Sequence, residues 1–322
     1  MTEQEIAAGH GDGSQILARV GARIDARGFS SQRFRDQFAN VGIAVGNDAL
    51  PGERLVVQDG AYRIVPFERT CREAVITTLL DYIVNHRAEV DCIVELGSGH
   101  GRNLFDLSAA LREQAGIEVP MHACELTESG RAVTTRLRDL SPGLDLAVHA
   151  FDYFQPDLSF LPGRPKVLFF TVFSIEQITL VNRAVIDEML ARTASCACFH
   201  FEPVGWQYDH ALSHWRQRRD APISKLWSRS VRRLARASDS LFRTKLRAAT
   251  TGIRLQPEDV DSASRVSQNA ARWSERMDYN KNLVSLLHAL DQEKRIAIER
   301  EDVNVYGDNP FNPASILQWR NA

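Results

Sequence analysis

Short apolar runs alternate with helical periodicity through the middle of the chain. The runs at 91–96, 118–124, 144–149, 166–171 and 197–201 read as strands. Segments 103–115, 128–139 and 176–192 carry apolar residues at the three- and four-residue spacing of helices. That rhythm marks a parallel α/β sheet. Before it, Ala74, Val75, Thr78, Leu79, Tyr82 and Ile83 form the apolar stripe of another helix. Further upstream, Leu55–Val57 and Tyr62–Val65 predict a small hairpin closed by Pro66, and 15–38 has a helical pattern interrupted at Gly28. At the far end, 294–299 and 314–320 read as two more strands around the turn-rich stretch 307–313.

In open α/β sheets, ligands sit beyond the carboxyl ends of the strands, where the strand order reverses. The first strand of the rhythm runs into Glu95-Leu96-Gly97-Ser98-Gly99-His100-Gly101, and a helix follows from Asn103. Strand, glycine turn and helix bring a ligand against bare backbone at a helix N-terminus. Glycine suits the turn because it takes positive φ and has no Cβ to hold a ligand away. A dinucleotide fingerprint would place its third glycine at position 102, which is Arg102. A phosphate-binding loop would need Gly-Lys-Ser/Thr, which does not follow.

The pattern Glu-x-Gly-x-Gly-x-Gly resembles motif I of the class I, Rossmann-like, S-adenosylmethionine (SAM)-dependent methyltransferases. The resemblance covers about 70–206 and 292–322. It implies an α/β fold: a doubly wound, mostly parallel seven-stranded sheet with helices on both faces, completed by the terminal strand pair. N-terminal and inserted helical caps would be added to it. It also implies SAM as cofactor, held by Glu95, Gly97, Ser98, Gly99, Gly101 and Asn103. Glu125, closing the second strand, would take the ribose hydroxyls. Asp152 would accept from the adenine amine, with Tyr153 packing on the ring and Phe151 or His149 as other ring contacts. The strand end at Phe173 would lie beside the transferred methyl.

The acceptor half is less specific. After the fourth strand the chain reads Val172-Phe173-Ser174-Ile175-Glu176-Gln177, without the Asn/Asp-Pro-Pro-Tyr/Phe of base-modifying relatives and without a Pro-Cys nucleophile. Glu176 is either a general base or an ordinary first-turn acid. Strand alternation puts His200 and Glu202 on one face, with Glu202 at the carboxyl edge and His200 one step inside. The candidate catalytic residues are therefore Glu202, Glu176 and His200, and the candidate substrate contacts are Tyr62, Arg69 and Trp206. Asn309 and Asn312 could reach the pocket, although turn chemistry also accounts for them.

Composition adds limits. The chain has 322 residues, 44% hydrophobic and 25% charged, with a formal charge of −2, the profile of a soluble globular protein. Five cysteines read as small buried hydrophobes, and Cys196-Ala-Cys198 points its thiols to opposite faces, so no metal is expected. No apolar run approaches a membrane span, and the acidic N-terminus lacks a signal-type segment, so a cytoplasmic protein is expected. Charge is uneven: 214–247 holds 11 Lys/Arg against Asp220 and Asp239. That segment reads as a helical cap, a surface for a phosphate-bearing carrier, or an RNA-binding face.

The expected organisation is a helical and hairpin cap over 1–88, a SAM-binding core over 89–206, an inserted basic helical cap over 207–291 and a closing strand pair over 292–322. The expected function is methyl transfer from SAM to oxygen or nitrogen of a small or carrier-linked, possibly anionic, substrate. The alternatives are an RNA methyltransferase and a SAM-fold binding protein without turnover.

Overall fold

The computed structural model describes residues 53–66, 73–219 and 263–322. The N-terminal segment before 53, Arg69 and Cys71, and most of the basic segment lie outside the described residues.

Among the described residues, nine strands form one sheet: β1 (Glu53–Gln58), β2 (Ala61–Pro66), β3 (Cys92–Leu96), β4 (Met121–Glu125), β5 (Leu146–Ala150), β6 (Lys166–Val172), β7 (Ser195–Glu202), β8 (Ile296–Gly307) and β9 (Ala314–Asn321). Their order is β2-β1-β8-β9-β7-β6-β3-β4-β5. Strands β3 to β7 are mutually parallel, and the β7–β9, β9–β8, β8–β1 and β1–β2 pairs are antiparallel. The sheet is therefore mixed and nine-stranded, where a mostly parallel seven-stranded one was expected. The two extra strands are the hairpin, which adds its Val57 and Gln58 to the end of β8 instead of standing apart as a cap.

The chain winds from β3 outward to β4 and β5, then returns to the other side of β3 as β6. The crevice of the fold therefore opens at the carboxyl ends of β3 and β6. Every residue of β3 is buried, as an interior parallel strand requires. Its alternation divides the core. Ile93 packs with residues of α1 (Glu73–Asn85), α2 (Arg102–Ala110) and α3 (Glu128–Asp139). Cys92, Val94 and Leu96 pack with residues of α4 (Ala184–Arg192) and α7 (Leu283–Gln292) on the other face. Cys92, Cys124, Cys196 and Cys198 are buried free thiols.

Between α4 and α7, the chain forms α5 (His210–Arg219) and α6 (Ala263–Met277). Trp206, in a short 3-10 turn after β7, packs against Ala270 and Ala271 of α6. No described helix is long and apolar enough to cross a membrane.

The helix expected over 176–192 is shorter. Residues Ile175–Gln177 form one 3-10 turn, and α4 starts only at Ala184. The intervening backbone is bonded by the linker between α6 and α7. Asn280 Nδ2 donates to the Ile178 carbonyl (2.9 Å), and Lys281 N donates to the Thr179 carbonyl (3.2 Å). The Asn282 amide both accepts from Val181 N (2.8 Å) and donates to the Val181 carbonyl (2.9 Å). Backbone groups satisfied in this way have no need of a helix. Strand β8 runs on to Gly307, well past the expected end at 299, through two register shifts and a positive φ at Asn304.

Candidate functional site

The carboxyl edge of the sheet collects the strand-end residues. Gly97, Gly99 and Gly101 all have positive φ (74°, 55° and 73°), and Gly101 is the N-cap of α2. The loop is held from beneath: Gly97 N and Ser98 N both donate to the Cys124 carbonyl at the end of β4 (2.8 and 3.0 Å). Gly97 is also sterically required. A Cβ there would lie 2.5 Å from Ser174 Cβ. Over Gly99, by contrast, an added Cβ would meet nothing within 4 Å, so the loop has an open floor.

Glu95 lies under this loop, 1% exposed. Asn103 Nδ2 donates to its Oε1 at 2.6 Å. Its Oε2 is buried and has no hydrogen-bond partner among the described residues, and neither does the buried Ser98 Oγ. Burial pushes the Glu95 carboxyl up to about 8, with the Asn103 amide opposing and the Glu125 charge adding. A buried acceptor left without a donor is costly. A cationic donor entering above Gly99 would relieve it.

Glu125 ties the loop to the next helix. Its Oε2 accepts from Gly99 N (3.0 Å), and its Oε1 accepts from the backbone and hydroxyl of Thr127 (2.8 and 2.6 Å), the N-cap of α3. Asp152 follows β5, where its Oδ1 accepts from Phe154 N (2.8 Å). Beside these two acids stand Leu126 and Phe154, 61% and 67% exposed. Neither belongs to a motif in the sequence. The only signal was a large apolar residue one or two positions past a strand-end acid.

Tyr153 has a different place from the one expected. It is buried, and its hydroxyl lies 2.8 Å from the Leu96 carbonyl and 2.9 Å from Ser174 Oγ, so it braces the crevice floor from below. His149 is stacked on Phe160 (centroids 3.7 Å apart) and bonded to His122 (3.0 Å), and Phe151 is buried edge-on to Tyr153. Phe173 is half-buried at a positive φ, its N–H donating to the Phe201 carbonyl (3.1 Å).

The candidate acids and bases separate clearly. His200 is 1% exposed, and burial lowers it to about 3. Trp319 Nε1 can only donate, so His200 Nε2 accepts it (3.0 Å) and Nδ1–H faces Thr171 Oγ1 (3.0 Å). That makes His200 a neutral, fully bonded core residue, not a base at the crevice.

Glu202 is 0% exposed. Its Oε1 accepts from Ser174 N and Ile175 N, and its Oε2 accepts from Glu176 N, each at 3.1 Å. It caps the 3-10 turn after β6 instead of facing an incoming substrate. Burial raises it to about 7 against those bonds.

Glu176 accepts from Gln177 Nε2 (2.8 Å) and from Asn312 Nδ2 (2.6 Å), and Tyr279 also bonds to it. Burial first, then the Glu202 charge, pushes it up to about 8. Asn312 does reach this cluster, whereas Asn309 caps its own turn through Phe311 N (3.0 Å). Tyr279 and Asn280 belong to the inserted segment, where no strand-end logic pointed.

Of the candidate substrate contacts, Trp206 is 1% exposed in the seam between the sheet and α6 and offers no face to a ligand. Tyr62 pairs in register with Val57, which in turn faces Gly307. Its side chain lies outside the described part. Among the described residues, no cluster of His, Cys, Asp and Glu could hold a metal.

No protein-family model and no curated protein sequence matches the chain. Solved structures do match in part. The plantazolicin methyltransferase BamL, solved with a triazolic desmethylPZN analog and SAH, is 9% identical over 78% of this chain and 84% of its own, with a TM-score of 0.41. The O-methyltransferase TomG from Streptomyces achromogenes, solved with SAM, is 12% identical over 77% and 79%, with a TM-score of 0.41. The SAM-bound amino pentose methyltransferase CalS10 from Micromonospora echinaspora is 18% identical over 40% of this chain, with a TM-score of 0.30, and the match spans half of its length. At these identities and TM-scores the likeness carries no conclusion about this chain's chemistry.

Proposed function

We propose that the chain is a SAM-dependent methyltransferase acting on oxygen or nitrogen of a small or carrier-linked substrate. The observation that carries this reading is the buried Glu95 carboxyl group, with one oxygen and the neighbouring Ser98 hydroxyl lacking any hydrogen-bond partner among the described residues, beneath an open glycine floor. Such a site favours a ligand whose polar end is a cation. An ammonium beside a sulfonium is that kind of end.

Asn103 would orient Glu95 for the ammonium, and the Gly97–Gly101 loop would let the ligand lie against backbone. Glu125 retains lone pairs for ribose hydroxyls on a carboxylate already fixed by Gly99 and Thr127. Asp152 would accept from the adenine amine. Leu126 and Phe154 would cover the two faces of the base, which accounts for two large apolar side chains left exposed at this edge. When bound, SAM supplies an electrophilic methyl group. The protein's own contribution is chiefly to hold the acceptor in line with it.

The test is thermal unfolding of the full chain with S-adenosylhomocysteine (SAH) and, separately, NADH. SAH should raise the midpoint with saturation, and NADH should not. Protection by NADH alone would overturn the assignment.

A further inference from the structure

The cofactor site makes no use of Glu176, and its surroundings are unlike those of a surface-turn acid. Four segments converge on it: Gln177 after β6, Glu202 at the end of β7, Tyr279 and Asn280 from the linker between α6 and α7, and Asn312 from the β8–β9 turn. Its side-chain donors among the described residues, Gln177, Asn312 and Tyr279, are all neutral. The titratable groups facing it there are Glu202 and Tyr279, and Tyr279 is itself pushed up to about 12 by burial first and then by the Glu176 charge. Among the described residues, no cation completes the cluster. Glu202 receives three backbone N–H groups, which favour its charged form, so a proton shared by the two acids belongs on Glu176. Glu176 also stands two residues beyond Ser174, the residue that meets the glycine loop at Gly97. Its turn follows β6, which lies on the opposite side of β3 from β4 and β5 and so from Glu125 and Asp152.

We propose that Glu176 takes up the proton released on methylation, and that the acceptor accordingly presents a hydroxyl or an amine N–H, not an already ionised phosphate or carboxylate. This rests on the methyltransferase reading above. In the balanced step, a lone pair of the acceptor oxygen or nitrogen forms the bond to the methyl carbon. The carbon–sulfur bond breaks with its electron pair going to sulfur, and the acceptor's proton passes to the ionised Glu176 carboxylate.

Sinefungin separates this idea from cofactor binding itself, because it carries an ammonium where SAM carries the methyl, whereas SAH carries nothing there. Both share the contact to Glu95, so that contribution cancels in their ratio. Calorimetric titration of the full chain should show sinefungin preferred over SAH by about 10–100-fold at pH 8.5, the range of one charge-assisted bond. The preference should shrink toward pH 6, as Glu176 becomes protonated. In Glu176→Gln the preference should fall to within about threefold at every pH, with SAH affinity retained. Equal preference in the two proteins overturns the proposal, as does no preference in the wild type. Should the variant not fold, the wild type alone decides: at pH 7, sinefungin should release close to one proton more than SAH, measured in buffers of different ionisation enthalpy. An equal release overturns the proposal. If neither ligand binds, the methyltransferase reading falls and this proposal falls with it.

Discussion

Replacing Glu95 by Gln removes a charge and almost no volume. In the ligand-free protein that charge is a burden. Its carboxyl rises from 4.5 to about 8 through burial, so the folded state holds a proton that the unfolded chain has already lost. Between those two values the native state binds more protons, and stability falls as pH rises. Below pH 4.5 the penalty is absent, and above about pH 8 it is complete. At about 1.4 kcal/mol per pH unit, it reaches roughly 4 kcal/mol near pH 7.5. The Gln variant should therefore be more stable than the wild type without ligand, by a margin that widens from pH 5 to pH 8 in urea unfolding.

Binding should move the other way. A lost charge-assisted bond to an ammonium is worth about 1.5–3 kcal/mol, so SAH should bind roughly 10–150-fold more weakly. In the wild type, SAH affinity should also rise with pH up to about 8, because the cation expels the Glu95 proton, and this slope should vanish in the variant. Unchanged affinity, or a variant less stable than wild type at pH 8, would refute the reasoning, because Glu95 would then be a structural group.

Two further substitutions separate scaffold from site. Gly97→Ala places a methyl 2.5 Å from Ser174 Cβ at a φ of 74°, so we expect about 2–4 kcal/mol of lost stability in chemical unfolding and loss of SAH binding. His200→Gln breaks at least one of the bonds to Trp319 and Thr171. It should cost about 1–3 kcal/mol of stability while leaving SAH affinity within about twofold, and a much larger loss of affinity would return His200 to the site.

The parallel core was legible because its strands are buried on both faces and so appear as uninterrupted apolar runs between turn residues. Glu125 and Asp152 could be placed at the carboxyl edge of the sheet because a strand end fixes where a side chain stands. The continuation of β8 was hidden, since Glu299, Arg300, Glu301 and Asp302 break the apolar pattern on a strand whose register shifts twice. The shortening of α4 was hidden for another reason. Its cause lies in Asn280 and Asn282, about a hundred residues away, which bond the backbone that would otherwise coil.

The acids illustrate the same limit. Glu202 reads as a strand-edge carboxylate, and Glu176 as either a general base or a first-turn acid. Only the three backbone N–H groups on one, and the side-chain amides and the phenol on the other, distinguish a turn cap from a group with a proton to exchange.

The most direct test of the central claim is transfer of label from methyl-tritiated SAM to fractionated cell extract by the full chain, with Glu95→Gln as control. The account predicts label in a small-molecule or carrier-linked fraction, and little or none with the variant. Label confined to RNA would contradict the assigned acceptor class, and no enzyme-dependent label in any metabolite, lipid or RNA fraction would contradict the methyltransferase assignment itself.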